Sequence, residues 1–193
     1  KLTTFTTETA HNFEEDWESI RDAIEHTFDL LKSFGFNDFT LTSKNAVIPL
    51  IYYLYHRRIY DKFKEGKQYE QDRAVIKKWL HVMTIKRVFG GQSDGILSQI
   101  RRAFTDDVTS SVKLRDGISE FPVESISKSI RRDISLGDEF IDELLKTQKD
   151  DRYAFSILAL LNPQLDYRNN DFHKDHLHPI SAFSKKGIEA LSL

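Results

Sequence analysis

Ala46-Val47-Ile48-Pro49-Leu50-Ile51-Tyr52-Tyr53-Leu54-Tyr55 is the longest nearly uncharged apolar run in the chain. A helix needs about 20 apolar residues to cross a bilayer core, so this run is too short to span one. Its apolar residues fall on nearly all sides of a helix, which predicts a central, buried element rather than a surface one. A start near Ser43 or Asn45 and an end near Phe63 place Pro49 close to the first turn, where its missing N–H costs least. Gly66 to Glu70 then reads as a polar loop.

Working outward, Phe13, Trp17, Ile20, Ile24, Phe28 and Leu31 recur at three- and four-residue steps and predict a helix over 13–34. Asn12 with Glu15 resembles a capping arrangement, and Gly35 is a plausible stop. On the other side, Val75, Trp79, Val82, Met83 and the Lys86 stem form the stripe of a helix over 72–89. Gly90-Gly91-Gln92-Ser93-Asp94-Gly95 breaks it, and Ser93 or Asp94 can cap the next helix, which runs to Phe104. Such a loop can cradle phosphate, but it lacks the ending of a P-loop and the spacing of a dinucleotide fingerprint. An ordinary helix–helix turn is the favoured reading. Further helices are expected at 107–119, 122–132, 137–148 and 150–161, with Pro122 and Asn162-Pro163 as boundaries. There is no internal repeat.

The composition is that of a globular chain: 39% hydrophobic, 30% charged and 12% aromatic over 193 residues. The absence of cysteine excludes a disulfide framework, a thiolate zinc site and a cysteine nucleophile. No basic-then-apolar signal segment opens the chain, so a cytoplasmic location and no membrane partner are expected. The start at Lys1 suggests a fragment of something longer. The net charge of −2 conceals an asymmetry. Residues 1–34 and 133–151 are acidic, while 56–102 are basic and could meet a phosphate backbone. Within that stretch, Arg73, Lys77, Lys78, Arg101 and Arg102 are candidate contacts to DNA phosphates, although exposed helix faces carry such charges in any case. His81, at helical spacing from Arg73 and Lys77, reads as a surface residue. Trp17 and Trp79 read as core-face residues.

After Pro163 the texture changes. Leu165-Asp166-Tyr167, a polar turn at Arg168-Asn169-Asn170-Asp171, and Phe172-His173-Lys174-Asp175-His176 read as a short hairpin. A domain boundary near 162 follows. The fold class expected is therefore mainly α: a multi-helix bundle over 1–161, then a short β-hairpin beginning a further motif over 162–193. His173, His176 and His178 gather there with Asp171 and Asp175, a density that argues for a site. Along a strand His176 and His178 share one face, and Asp175 and His173 the other.

Asp175-His176-Leu177-His178-Pro179 resembles the first-strand motif of HNH nucleases of the ββα-metal fold. That resemblance implies that Asp175 is a metal ligand and His176 the general base. It leaves His178 and His173 as possible metal or phosphate contacts. A wider set narrows the likeness: Phe13 and Trp17, Leu41 through Leu54, Phe89-Gly90-Gly91-Gln92-Ser93-Asp94, and Asp175-His176. Together these resemble GmrSD-type restriction proteins, which carry a ParB-like N-terminal domain, a helical middle and a C-terminal HNH-like domain. The chain would then be the middle and the start of the HNH-like domain of a phage-defence endonuclease. Its partners would be DNA and the ParB-like domain of the same parent, and homo-oligomers are compatible with this.

Phosphodiester hydrolysis needs an activated water and charge neutralisation on the phosphate and leaving oxygen. A neutral imidazole can take the proton, and Mg²⁺ or Mn²⁺ suits a carboxylate oxygen. A zinc site built on His173, His176 and His178 is less favoured, because zinc wants four well-placed ligands. The family's second set of ligands, an Asn and a His or Asn on a following helix, has no counterpart here, since no Asn follows Asn170. This chain alone is therefore expected to be catalytically silent. The other reading is a non-catalytic helical interaction module linking a sensor domain to an effector.

Overall fold

The computed structural model describes residues 6–91, 93–105, 114, 116–170 and 172. In chain order its helices are α1 (Thr7–Glu15), α2 (Trp17–Ser33), α3 (Ile48–His56), α4 (Tyr60–Phe63), α5 (Glu70–Ile85), α6 (Ser93–Phe104), α7 (Val123–Ser129), α8 (Asp138–Leu144) and α9 (Ala154–Leu161). Single 3-10 turns at Lys44–Val47 and Lys67–Tyr69 lead into α3 and α5.

Where one helix is expected over 13–34, the chain makes two. Thr6, not Asn12, is the first N-cap, its hydroxyl accepting from the Thr9 N–H at 3.1 Å. The break falls at Asp16, and α1 buries no residue. Phe13 and Trp17 stay about half exposed, their rings 5.5 Å apart, so Trp17 is not in the core. The buried stripe of α2 is Ala23, Thr27, Leu30 and Leu31. Periodicity marks an apolar stripe but does not say whether anything lies opposite it.

Three helices end alike. After α2, Gly35 (φ 87°) donates to the Lys32 carbonyl at 2.9 Å and Phe36 donates to that of Leu31 at 3.0 Å. This paired closure satisfies two orphan carbonyls and requires a left-handed residue, usually glycine. The same pattern closes α3 at Arg58 (φ 52°) and α5 at Arg87 (φ 50°). It therefore cuts the helix expected to reach Phe63 and the one expected to reach Phe89. A left-handed arginine costs roughly 1–2 kcal/mol. Each of the two lays its guanidinium over an aromatic ring, Arg58 over Tyr55 at 4.6 Å and Arg87 over Tyr153 at 4.5 Å, which offsets part of that cost.

The central position expected for the 46–55 run is observed: Leu50 and Tyr53 have no exposed surface. The rings of Phe63, Phe104 and Phe121 lie 6.3, 6.5 and 5.5 Å from that of Tyr53. Helix α2 packs on α3 and α4, α6 on α3 and α7, and α5 on α9. One carboxylate enters this aromatic core. Asp72 accepts from the Tyr53 hydroxyl at 2.7 Å and from the Phe121 N–H at 2.9 Å. Burial pushes its carboxyl above the ordinary aspartate range, and the two donors oppose that.

The β-hairpin expected after Pro163 is not found among the described residues, which contain no strand. Residues 163–164 and 167–169 make turns instead. The Asp166 carboxylate accepts from the Arg168 N–H at 3.0 Å and from the Asn169 amide at 2.7 Å, while the Asn170 amide donates back to the Asp166 carbonyl at 3.2 Å. These local side-chain bonds offer the backbone an alternative to ladder pairing, which is why the first arm does not extend. Of the second arm, Phe172 is irregular, and His173–His176 lie outside the described residues. Mainly α is therefore the fold class, without the hairpin. No helix among the described residues is long and apolar enough to cross a membrane.

Candidate functional site

Asp175, His176, His178 and His173 all lie outside the described residues. What can be described is the ground from which that segment departs. Helix α9 packs along α5, and at their contact His81 is 1% exposed, not on the surface as its spacing suggests. Its Nδ1 lies 3.1 Å from the Ser156 hydroxyl, and its ring stacks on Phe36 at 4.6 Å. Burial holds its pKa down to about 3, helped by the charge of Lys77, so it is neutral at pH 7. Neutral, buried and ring-stacked, His81 is structural here.

The chain leaving α9 is tied back to the helical body at three points. Lys77, on α5, donates to the Pro163 carbonyl at 3.2 Å and sits 4.9 Å above the Tyr167 ring. The Tyr167 ring in turn meets Phe155 at 5.5 Å and Phe172 at 5.0 Å, both edge-on. Arg168 forks onto both carboxylate oxygens of Glu65, and that hydrogen-bonded pair draws the Glu65 carboxyl below its usual range. Glu65 itself stands in a loop held by Arg73, whose Nη1 donates to the Phe63 carbonyl at 2.6 Å and the Gly66 carbonyl at 2.7 Å. Asp166, its carboxyl lowered chiefly by the Asn169 amide, fixes the turn from within.

Of the five basic residues singled out in the sequence, Arg73 and Lys77 thus spend their donors on protein carbonyls beside this turn. Lys78 on α5 and Arg101 and Arg102 in the last turn of α6 stay exposed. The Gly90-Gly91 loop borders a polar cleft of about 270 Å³ lined by Thr42, Ser43, Thr84, Arg87 and Tyr153. Asn45 donates to the Ser93 hydroxyl at 2.7 Å and pins the start of α6 to the turn before α3. This is the helix–helix turn favoured from the sequence. Among the described residues no three His, Asp or Glu side chains gather as a metal site.

Sequence reading missed Arg168–Glu65 and Tyr53–Asp72. Both join positions far apart in the chain, and no local pattern signals such pairs. No protein-family model matches this chain, and no curated protein matches it either.

Proposed function

We propose that this chain is the helical body and first nuclease-motif segment of a restriction-type, metal-dependent DNA endonuclease. In this reading the body fixes where the motif departs. The observation that carries it is the run Asp175-His176-Leu177-His178-Pro179, placed directly after a turn that Lys77 and Arg168 tether to the bundle. His176 would take the proton from the attacking water at its free imidazole nitrogen, which is worth about 10²–10⁴-fold as general-base catalysis. Asp175 offers the hard oxygen that Mg²⁺ or Mn²⁺ prefers, and such an ion supplies charge neutralisation at the phosphate. One carboxylate does not fill a coordination shell, so such an ion would need further ligands. Lys78, Arg101 and Arg102 are exposed and available to DNA phosphates.

A second reading, a non-catalytic interaction module, is favoured by the inward use of Arg73 and Lys77, which serve the architecture rather than a ligand. Plasmid cleavage by the full-length gene product with Mg²⁺ or Mn²⁺, beside its His176→Ala variant, separates the two. Loss of cleavage on removing His176 supports the nuclease reading, and indifference supports the module.

A further inference from the structure

Helices α5 and α7 and the segment 132–136 enclose a cleft of about 590 Å³. That volume falls within the range of about 300–1,000 Å³ usual for small-molecule sites. Val75, Val82, Met83, Val123, Ile134 and Leu136 make its walls apolar. Trp79 lines it too, only 3% exposed, with its ring edge-packed on Phe121 at 5.0 Å. Its indole N–H has no hydrogen-bond partner among the described residues.

The charged groups at the rim are Lys78, Arg132 and Asp133. Arg132 donates to the carbonyls of Arg87, Val88 and Gly90, which occupies three of its five N–H donors but not its charge. Asp133 accepts from the Ser135 N–H at 2.9 Å and faces the Lys86 ammonium at 3.8 Å, so its negative charge is already balanced. Lys78 is exposed, and no described residue pairs with it. The rim is therefore net positive over an apolar floor.

We propose that this cleft binds a small amphiphilic organic anion: an apolar, ring-sized body carrying one negative charge. The apolar body fills the cleft, and the charge faces Lys78. The cleft does not rest on the nuclease reading, although Lys78 serves in both, and its test reads binding of the small anion alone.

The probe is 8-anilinonaphthalene-1-sulfonate, titrated into the full chain carrying Trp17→Phe, so that Trp79 is the sole tryptophan. Saturable one-to-one binding with energy transfer from Trp79 is the expected result. Lys78→Glu should weaken it about tenfold, the scale of reversing one partly screened charge. Ser127→Phe, which fills the cleft from α7, should abolish it. Lys78 is a surface position, so that variant decides the matter even where Ser127→Phe fails to fold, as thermal melting will show. Absence of saturable binding, more than one probe per chain, or an affinity unchanged by Lys78→Glu overturns the proposal.

Discussion

The Lys77 ammonium lies 4.9 Å from the centre of the Tyr167 ring and donates to the Pro163 carbonyl at 3.2 Å, bridging α5 to the turn that follows α9. Burial lowers the Lys77 pKa, and nearby Asp166 opposes that. A partly desolvated cation over an aromatic face is worth about 0.5–2 kcal/mol. Lys77→Ala should therefore leave the bundle folded but loosen the turn. Amide exchange over 163–170 is expected to quicken several-fold, with the core of α5 unchanged. Uniform protection across both would contradict the tether.

Gly35 is the third member of this junction. Its φ of 87° already disfavours any side chain, and a Cβ there would stand 2.7 Å from the Phe155 ring and 2.8 Å from that of Tyr167. Gly35→Ala combines a left-handed penalty of about 1–2 kcal/mol with an overpacking cost of about 1–3 kcal/mol. A loss of roughly 2–4 kcal/mol in urea unfolding is expected, along with displacement of Tyr167. A change under about 1 kcal/mol would mean the three do not pack this closely.

Asp72 separates hydrogen bonding from charge. Asp72→Asn can still accept from the Phe121 N–H, while its amide donates to the Tyr53 hydroxyl, which keeps the Ser119 carbonyl at 3.2 Å as its own acceptor. It also removes a buried charge, so stability at pH 7 should hold or rise. Asp72→Ala orphans the Phe121 N–H and should cost about 2–3 kcal/mol. Equal destabilisation by both, measured by chemical denaturation, would refute the arrangement.

His81 makes stability depend on pH. Its folded pKa is pushed down to about 3 from an ordinary 6.5, so between those values the unfolded chain binds the extra proton. Stability from this residue is full above pH 6.5 and falls as pH drops towards 3. Each pH unit well inside that window removes about 1.4 kcal/mol. His81→Leu should flatten the profile by roughly 2 kcal/mol between pH 6.5 and 5. Parallel profiles for the two proteins would show that His81 charges freely in the fold.

How much of this was legible in the sequence varies with the range of the interaction. The buried, central position of the 46–55 run follows from periodicity, and the structure agrees with it. The break expected at Gly90-Gly91 instead falls earlier, at Arg87, and α6 takes in Ser93 and Asp94 rather than starting after them. The helix ends at Arg58 and Arg87 were not legible, because arginine rarely occupies a left-handed position. The exposure of Trp17 and the burial of His81 depend on partners far along the chain. That the first arm of the expected hairpin is not a strand has a local cause, the hydrogen bonds of Asp166, which compete with strand formation. Of the candidate site, the residue types at 173–179 were legible, while the tether before them rests on Glu65 and Lys77, which no motif contains.

The most direct measurement is nicking of supercoiled plasmid by the full-length gene product in Mn²⁺ or Mg²⁺, wild type against His176→Ala. The account predicts metal-dependent nicking that falls by at least about 100-fold without the imidazole. Equal rates in the two proteins, including no nicking by either, would contradict it.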